Sequence, residues 1–249
     1  MNILEVEGLK HRYADGTTAL SGVDLSVRPG EFVVVAGANG SGKTTLLRHL
    51  NALLLPHAGR VLVDGVSTTE DPLHARRAVG MVFQDADSQI VGETVYDDVA
   101  FGPENLGLPR EEIHLRVTGA LSAVGLNGFA DQRPHFLSGG EKRRVAIAGI
   151  LAMQSSILVF DEPFSNLDYP GVRQVLEQLI SLHRKGHTLL LTTHDLEKVL
   201  AHADRLVVIQ AGRVVRDGAP AEAVKGVEAF GVREPEASRR GMPLSSWLG

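Results

Sequence analysis

The chain of 249 residues has no cysteine, which excludes a disulfide framework and any thiolate metal site and is compatible with a reducing cytosol. It has no excess of basic charge. With 25 Lys and Arg against 30 Asp and Glu, the net charge is −5, so nothing overall draws it to nucleic acid or anionic lipid. It has no long apolar run. The longest stretch without charge, Val145 to Phe160, is interrupted by Gln154-Ser155-Ser156 and falls short of the roughly 20 residues that span a bilayer. The first residues, Met1-Asn2-Ile3-Leu4-Glu5, carry acid where a secretory signal would carry base, so none is expected. Neither an internal repeat nor a low-complexity tract is present. Apolar residues at 43% and charged residues at 22% are ordinary for a globular chain able to bury a sizeable core.

The pattern reads as strands alternating with helices, hence an α/β fold with a mainly parallel sheet. Strand-like stretches open the chain at 3–7 and 20–27. Phe32–Ala36 is β-branched and apolar throughout, as in a strand covered on both faces. A helical pattern runs from Lys43 to about Leu54, and 61–65 is a short strand. From 85 to 154 strand signals thin out and two helices are expected, near 110–124 and 139–153. Alternation resumes with strand 157–160, helix 172–185, strand 188–191, a short helix near 196–201 and a hairpin from 206–209 and 214–217. The expected organisation is a core of 1–84 and 155–227, a helical subdomain of 85–154, and a polar, weakly ordered tail of 228–249.

Gly37-Ala38-Asn39-Gly40-Ser41-Gly42-Lys43-Thr44 has the spacing of a phosphate-binding loop and its required context, a buried strand before and a helix after. Small residues let successive N–H groups turn inward around phosphate oxygens at a helix N-terminus. Lys43 can reach the β and γ phosphates, and the Thr44 hydroxyl can ligate Mg²⁺. Asn39 is expected to tolerate a left-handed backbone. Asn39, Gly40, Ser41, Gly42, Lys43, Thr44 and Thr45 are thus the expected nucleotide contacts. The loop alone leaves kinases, GTPases and motors open.

Ile157-Leu158-Val159-Phe160-Asp161-Glu162 is an apolar strand ending in two carboxylates. In a parallel sheet its end faces the same crevice as the phosphate loop. Asp161 is expected to hold Mg²⁺, and Glu162 to orient or deprotonate the attacking water. A second helix start follows a different logic. Ser138 is a good N-cap, Glu141 three residues on completes a capping box, and Gly139-Gly140 expose backbone donors.

Leu137-Ser138-Gly139-Gly140-Glu141, followed by Lys142-Arg143-Arg144, resembles the signature sequence of ABC ATPases, with Glu141 where glutamine is usual. The resemblance covers about residues 1–225. It implies a P-loop ABC ATPase fold with an N-terminal antiparallel part and an inserted helical subdomain, with 1–84 and 155–227 as the RecA-like core. It further implies a head-to-tail pair in which Ser138, Gly139 and Gly140 of one subunit cover the ATP on the phosphate loop of the other. By the same resemblance Gln84 is the Q-loop glutamine that senses Mg²⁺, Ser165-Asn166-Leu167-Asp168 is the D-loop, His194 is the switch histidine at the γ-phosphate, and Tyr13 stacks on adenine. The other nine histidines read as scattered surface or packing residues.

Gln84–Gln89 and Thr94–Gly107 resemble, more narrowly, the energy-coupling-factor importers of cobalt, nickel or vitamins. There the segment after the Q-loop meets a transmembrane subunit, so the Asp85–Phe101 region is the expected coupling surface. The implied protein is an ATPase using ATP and Mg²⁺, paired with a second ATPase subunit at the cytoplasmic face of a membrane, with no nucleic acid partner. A soluble ABC ATPase of a cytosolic assembly complex, such as metal-cluster assembly, would keep every ATP residue and differ only at that surface. Nucleic-acid maintenance fits less well: Lys43 and Ser138 are 95 positions apart, which leaves no room for a long coiled coil, and one phosphate loop excludes the tandem type. A non-hydrolysing regulator would lack Glu162 or His194.

Overall fold

A computed structural model describes residues 1–248. One sheet is antiparallel and contains β1 (Leu4–Arg12), β2 (Thr18–Val27), β4 (Ala58–Val63) and β5 (Val66–Ser67), in the order β2-β1-β4-β5. The other contains β3 (Phe32–Ala36), β6 (Val79–Val82), β7 (Ile157–Asp161), β8 (Thr188–Thr193), β9 (Arg205–Gln210) and β10 (Arg213–Gly218), in the order β10-β9-β3-β8-β7-β6. All its pairs are parallel except the β9-β10 hairpin.

The parallel sheet lies between two cores, because alternate residues of a strand point to opposite faces. Val33 and Val35 of β3, Ile157 and Val159 of β7 and Leu190 of β8 pack with the antiparallel sheet. Phe32, Val34, Leu158, Phe160, Leu189 and Leu191 pack with helices on the other face. This is why β3, β7 and β8 read as continuous apolar runs. Both faces are dry.

The helices are α1 (Lys43–Leu50), α2 (Pro72–Ala78), α3 (Val95–Asn105), α4 (Arg110–Ala123), α5 (Gly139–Ala152) and α6 (Tyr169–Arg184), with two single-turn helices, α7 (Pro220–Ala223) and α8 (Glu236–Arg239), near the end. The α3, α4 and α5 helices bury Val99, Val117, Ile147 and Ile150 together. The sequence signalled only two helices between 85 and 154. The third, α3, starts at a capping box in which Thr94 accepts from the Asp97 N–H at 3.1 Å, and it carries Gly102 and Pro103, which masked its period. The α2 helix, also unexpected, is capped by Asp71, which accepts from the His74 N–H at 2.9 Å, with Pro72 in the first turn. Helix α1 stops at Leu50, short of the expected Leu54, since Ala52 adopts a φ of 54°. The expected short helix near 196–201 is a pair of 3₁₀ turns, Leu196–Lys198 and Leu200–His202.

The chain from Val227 to Leu248 packs on the core at several points. Val227 and Val232 are buried, and Leu244, Trp247 and Leu248 pack on the helix-side core. The Trp247 ring lies 5.0 Å from that of Tyr169, and the Ser246 hydroxyl meets His202 Nε2 at 3.1 Å. These apolar residues are too widely spaced to give a periodic signal in a polar segment. Among the described residues no helix is long and apolar enough to cross a membrane.

Candidate active site

The phosphate loop spans the gap from the end of β3 to the start of α1, and two of its glycines are dictated by neighbours. At Gly37 a Cβ would lie 2.4 Å from the Ile209 carbonyl and 2.5 Å from Ser41 Oγ. Gly42, with φ 108°, caps α1 in the left-handed region, and a Cβ there would meet the Ala19 carbonyl at 2.6 Å. No other residue type allows both the turn and the close approach. Ser41 is buried with its hydroxyl unpartnered.

Lys43 is buried, and its Nζ donates to the carbonyls of Gly37 at 2.8 Å and Ala38 at 3.2 Å. Glu162 Oε1 lies 3.7 Å from the same nitrogen. Burial pushes the Lys43 ammonium below its ordinary value, and the charges of Glu162 and Asp161 push it back up. The lysine thus rests on loop carbonyls at the start of α1.

The Asp161 carboxylate and the Glu162 backbone at the end of β7 are held by one residue that sequence reading missed. Thr192 stands opposite Asp161 in the β7-β8 register. Its hydroxyl donates to Asp161 Oδ1 at 2.6 Å, and its Oγ1 and carbonyl oxygen each lie 3.1 Å from the Glu162 N–H. Glu162 has a φ of 47°, a left-handed conformation that costs a non-glycine residue about 1 kcal/mol or more. Its Oε2 accepts from His194 Nδ1–H at 2.9 Å, while Oε1 is buried without a hydrogen-bond partner. Tyr13, following β1, joins its hydroxyl to Thr45 Oγ1 at 2.9 Å.

A cavity of about 500 Å³ brings most of the expected residues together. Tyr13, Asn39, Gly40, Gly42, Lys43, Thr44 and Thr45 line one side, and Gln84, Glu162 and His194 the other. Asp161 and Ser41 lie buried behind this lining. The geometry offers a cationic anchor, an acceptor carboxylate and an imidazole around one anion-sized space.

Ser138, Gly139, Gly140 and Asp168 line no part of that cavity. Ser138 caps α5 in the expected box: its Oγ accepts from the Glu141 N–H at 3.3 Å, and Glu141 Oε2 accepts from the Ser138 N–H at 2.8 Å. Hydrogen bonds from Ser138 hold the Glu141 carboxyl below its ordinary range. Asp168 caps α6, accepting from the Gly171 N–H at 3.0 Å. A Cβ on Gly140 would sit 3.3 Å from Gly171 Cα, and one on Gly139 would sit 3.6 Å from Leu167, so the starts of α5 and α6 form one surface. Arg143 of α5, largely buried, donates to the carbonyls of Phe83 and Gln84, a tie from the signature helix to the Q-loop that has no local sequence signal.

A family model described as ABC transporter matches residues 20–165. The chain is 46% identical to the energy-coupling factor transporter ATP-binding protein EcfA of Methanocaldococcus jannaschii, across 92% of this chain and 84% of that protein. Among solved structures, CbiO1 from Clostridium perfringens, described as part of the ABC transporter complex CbiONQ, superposes with a TM-score of 0.81 at 37% identity, covering 96% of this chain and 98% of that one. An ATP-binding cassette solved as a dimer in a post-hydrolysis state with ADP and Pi superposes with a TM-score of 0.78 at 30% identity, covering 87% of this chain and 98% of that one. The chain belongs to the ABC transporter family, in which it resembles the energy-coupling-factor ATPases, and it is an ATPase.

Proposed function

We propose that this chain is the ATP-hydrolysing subunit of an energy-coupling-factor importer, working as a pair of ATPases beneath separate membrane subunits at the cytoplasmic face. The observation that carries the pairing is the separation of two built parts. The cavity holds Lys43, Glu162 and His194, while the capped Ser138-Gly139-Gly140 helix start stands outside it. A second subunit, homologous or identical, would bring its own Ser138, Gly139 and Gly140 over the first subunit's nucleotide, with Asp168 beside them.

In this reading the phosphate loop, from Asn39 to Thr45, wraps the triphosphate and Tyr13 takes the adenine. Lys43 moves from the carbonyls of Gly37 and Ala38 to the β and γ phosphates. Glu162, its Oε1 free of hydrogen bonds and 3.7 Å from Lys43 Nζ, orients and deprotonates the attacking water, and His194 stabilises charge on the γ-phosphoryl group. The donor set fits Mg²⁺, since a hydroxyl and a buried carboxylate are hard oxygen ligands. Thr44 and Asp161 would hold the ion with Gln84 nearby, and when bound it would neutralise charge between the phosphates.

The coupling surface is supported by an apolar cleft of about 290 Å³ whose lining includes Leu53, Phe83, Val91, Phe101 and Ile150. Val91 is 66% and Phe101 55% exposed, an apolar patch fit for an amphipathic helix of a membrane partner. Asp98 accepts from the N–H groups of Val91 at 2.8 Å and Gly92 at 3.0 Å, so it shapes this surface from within. The solute class that accompanies the resemblance is a transition-metal ion or a vitamin. Purification of the tagged chain from its native membrane fraction tests the reading. Recovery of a transmembrane subunit with a small solute-binding subunit, lost with Phe101→Asp, is expected. Recovery only of soluble assembly proteins would overturn it in favour of a cytosolic role.

A further inference from the structure

Three of the histidines that look scattered along the chain meet behind Tyr13. His11 on β1 is the hub, with its ring 4.8 Å from Tyr13, 4.7 Å from His49 and 4.8 Å from His57, all edge-on. His49, on α1, is fully buried, and His11 is 6% exposed. His49 Nδ1 meets the Thr45 carbonyl at 2.7 Å, and its Nε2 meets His11 Nδ1 at 3.2 Å. His57 Nδ1 reaches the same His11 nitrogen at 3.3 Å. With the Tyr13–Thr45 hydroxyl contact and the edge-on packing of His11 on Tyr13, these contacts close a ring: Thr45 to Tyr13, Tyr13 to His11, His11 to His49, and His49 back to Thr45.

Elementary donor and acceptor rules fix the protons in this ring. A carbonyl only accepts, so His49 Nδ1 carries hydrogen and, in the neutral imidazole, His49 Nε2 accepts. His11 Nδ1 must then donate, and His57 Nδ1, facing that same hydrogen, is an acceptor. With His11 and His49 neutral, one proton therefore serves two acceptors. A further proton on His49 Nε2 would face the His11 Nδ1–H, so His11 would have to move its hydrogen to Nε2 and accept instead, which reorders the bonds behind Tyr13. Burial, with the charge of the other histidines, holds His11 and His49 below the ordinary imidazole value of 6.5. The groups acting on the two rings are one another, His57 and the carbonyls of Thr45 and Leu55. Across the sheet His11 faces Leu20, and no carboxylate is among the groups that would compensate an added charge.

We propose that His11 is a positioning residue for the Tyr13 ring, and that a single proton added to the His11–His49–His57 cluster releases that ring and weakens adenine binding. The inference rests on the reading of Tyr13 as the adenine platform. The cluster backs the Tyr13 ring and meets the phosphate loop only at Thr45, so it would raise the KM for ATP at mildly acidic pH more than it lowers kcat. Because both folded-state values are depressed, the matching stability is present above about pH 6.5 and is lost as pH falls from there through the folded-state values.

The test is the dissociation constant of the full-length protein for ATP and for inorganic tripolyphosphate, which lacks adenine, at pH 7.5 and 5.5. ATP affinity is expected to fall about threefold to fivefold more than tripolyphosphate affinity, less than the roughly tenfold that one proton on an imidazole of ordinary value would give at pH 5.5. His11→Phe keeps a ring beside Tyr13 without a titratable nitrogen and should flatten the ATP profile, while His57→Asn, at an exposed position, should flatten it in part. Parallel ATP and tripolyphosphate profiles, or a His11→Phe profile matching the parent's, would overturn the inference. So would stabilisation of the parent by micromolar Ni²⁺ or Zn²⁺ that is lost in His57→Asn, which would make the cluster a metal site. Tyr13→Ala at pH 7.5 separates the two levels: unchanged ATP affinity there refutes the platform itself, whereas weakened affinity with parallel profiles refutes only the histidine role.

Discussion

The helix starts at Gly42 and at Ser138 both present backbone donors to an anion, yet their surroundings are opposite. At Gly42 the donors open into a cavity with Lys43 parked on nearby carbonyls and Glu162 Oε1 without a partner. At Ser138 the capping box ties up the N–H groups of Ser138 and Glu141 with their own side chains and leaves those of Gly139 and Gly140 outside it. One end is wired for chemistry and strained, as the φ of Glu162 shows; the other is finished locally and acts only as a cover. In the proposed pair the first end is half of a site and the second is the other half, displayed for a different subunit.

The comparison can be broken at its wired end first. Glu162→Gln should lower steady-state ATP turnover by about 10³-fold, the usual worth of a general base, while equilibrium binding of ATP persists. Turnover within tenfold of the parent would remove Glu162 from that role. Thr192→Val should cost about tenfold to a hundredfold in kcat. It removes the hydroxyl that braces Asp161 and the backbone of Glu162, and a buried partner left unpaired costs about 1–3 kcal/mol. A kcat unchanged beyond twofold would show that the brace is dispensable.

The covering end is expected to respond differently. Gly140→Val forces a side chain where even a Cβ lies 3.3 Å from Gly171 Cα, so the α5 and α6 starts must part. Turnover should fall about tenfold with little change in the ATP dissociation constant of a single subunit, as expected of an interaction made only in the assembled site. Equal losses of binding and turnover would place Gly140 in its own chain's pocket instead. The smallest effect is at the tail. Trp247→Ala removes the ring against Tyr169, the first residue of α6, and should lower stability by about 0.5–1.5 kcal/mol beyond lost burial, read by chemical denaturation. No change in the denaturation midpoint would show that the tail contact is idle.

What the sequence revealed divides along the same line of distance. The spacing from Gly37 to Thr44, the apolar run into Asp161-Glu162 and the box from Ser138 to Glu141 are local patterns, legible because neighbouring residues share one turn. Thr192 was not legible as a brace, since it meets Asp161 only through strand pairing across 31 positions. Arg143 reaches the Q-loop carbonyls from 59 and 60 positions away, and His11, His49 and His57 converge from strand β1, helix α1 and the residue before β4. The α3 helix was hidden by Gly102 and Pro103, whereas α2 had a readable Asp71-Pro72 start that a short element makes easy to overlook. Local chemistry was therefore readable, and the long-range props that aim it were not.

The central claim, that each ATP site needs two subunits, is tested most directly by light scattering of the Glu162→Gln protein with and without ATP and Mg²⁺. The expected result is a particle of twice the monomer mass with ATP and a monomer without it, the pairing lost when Ser138-Gly139-Gly140 is disrupted by Gly140→Val. A monomer that binds ATP stoichiometrically and stays monomeric at concentrations far above its dissociation constant would contradict the account.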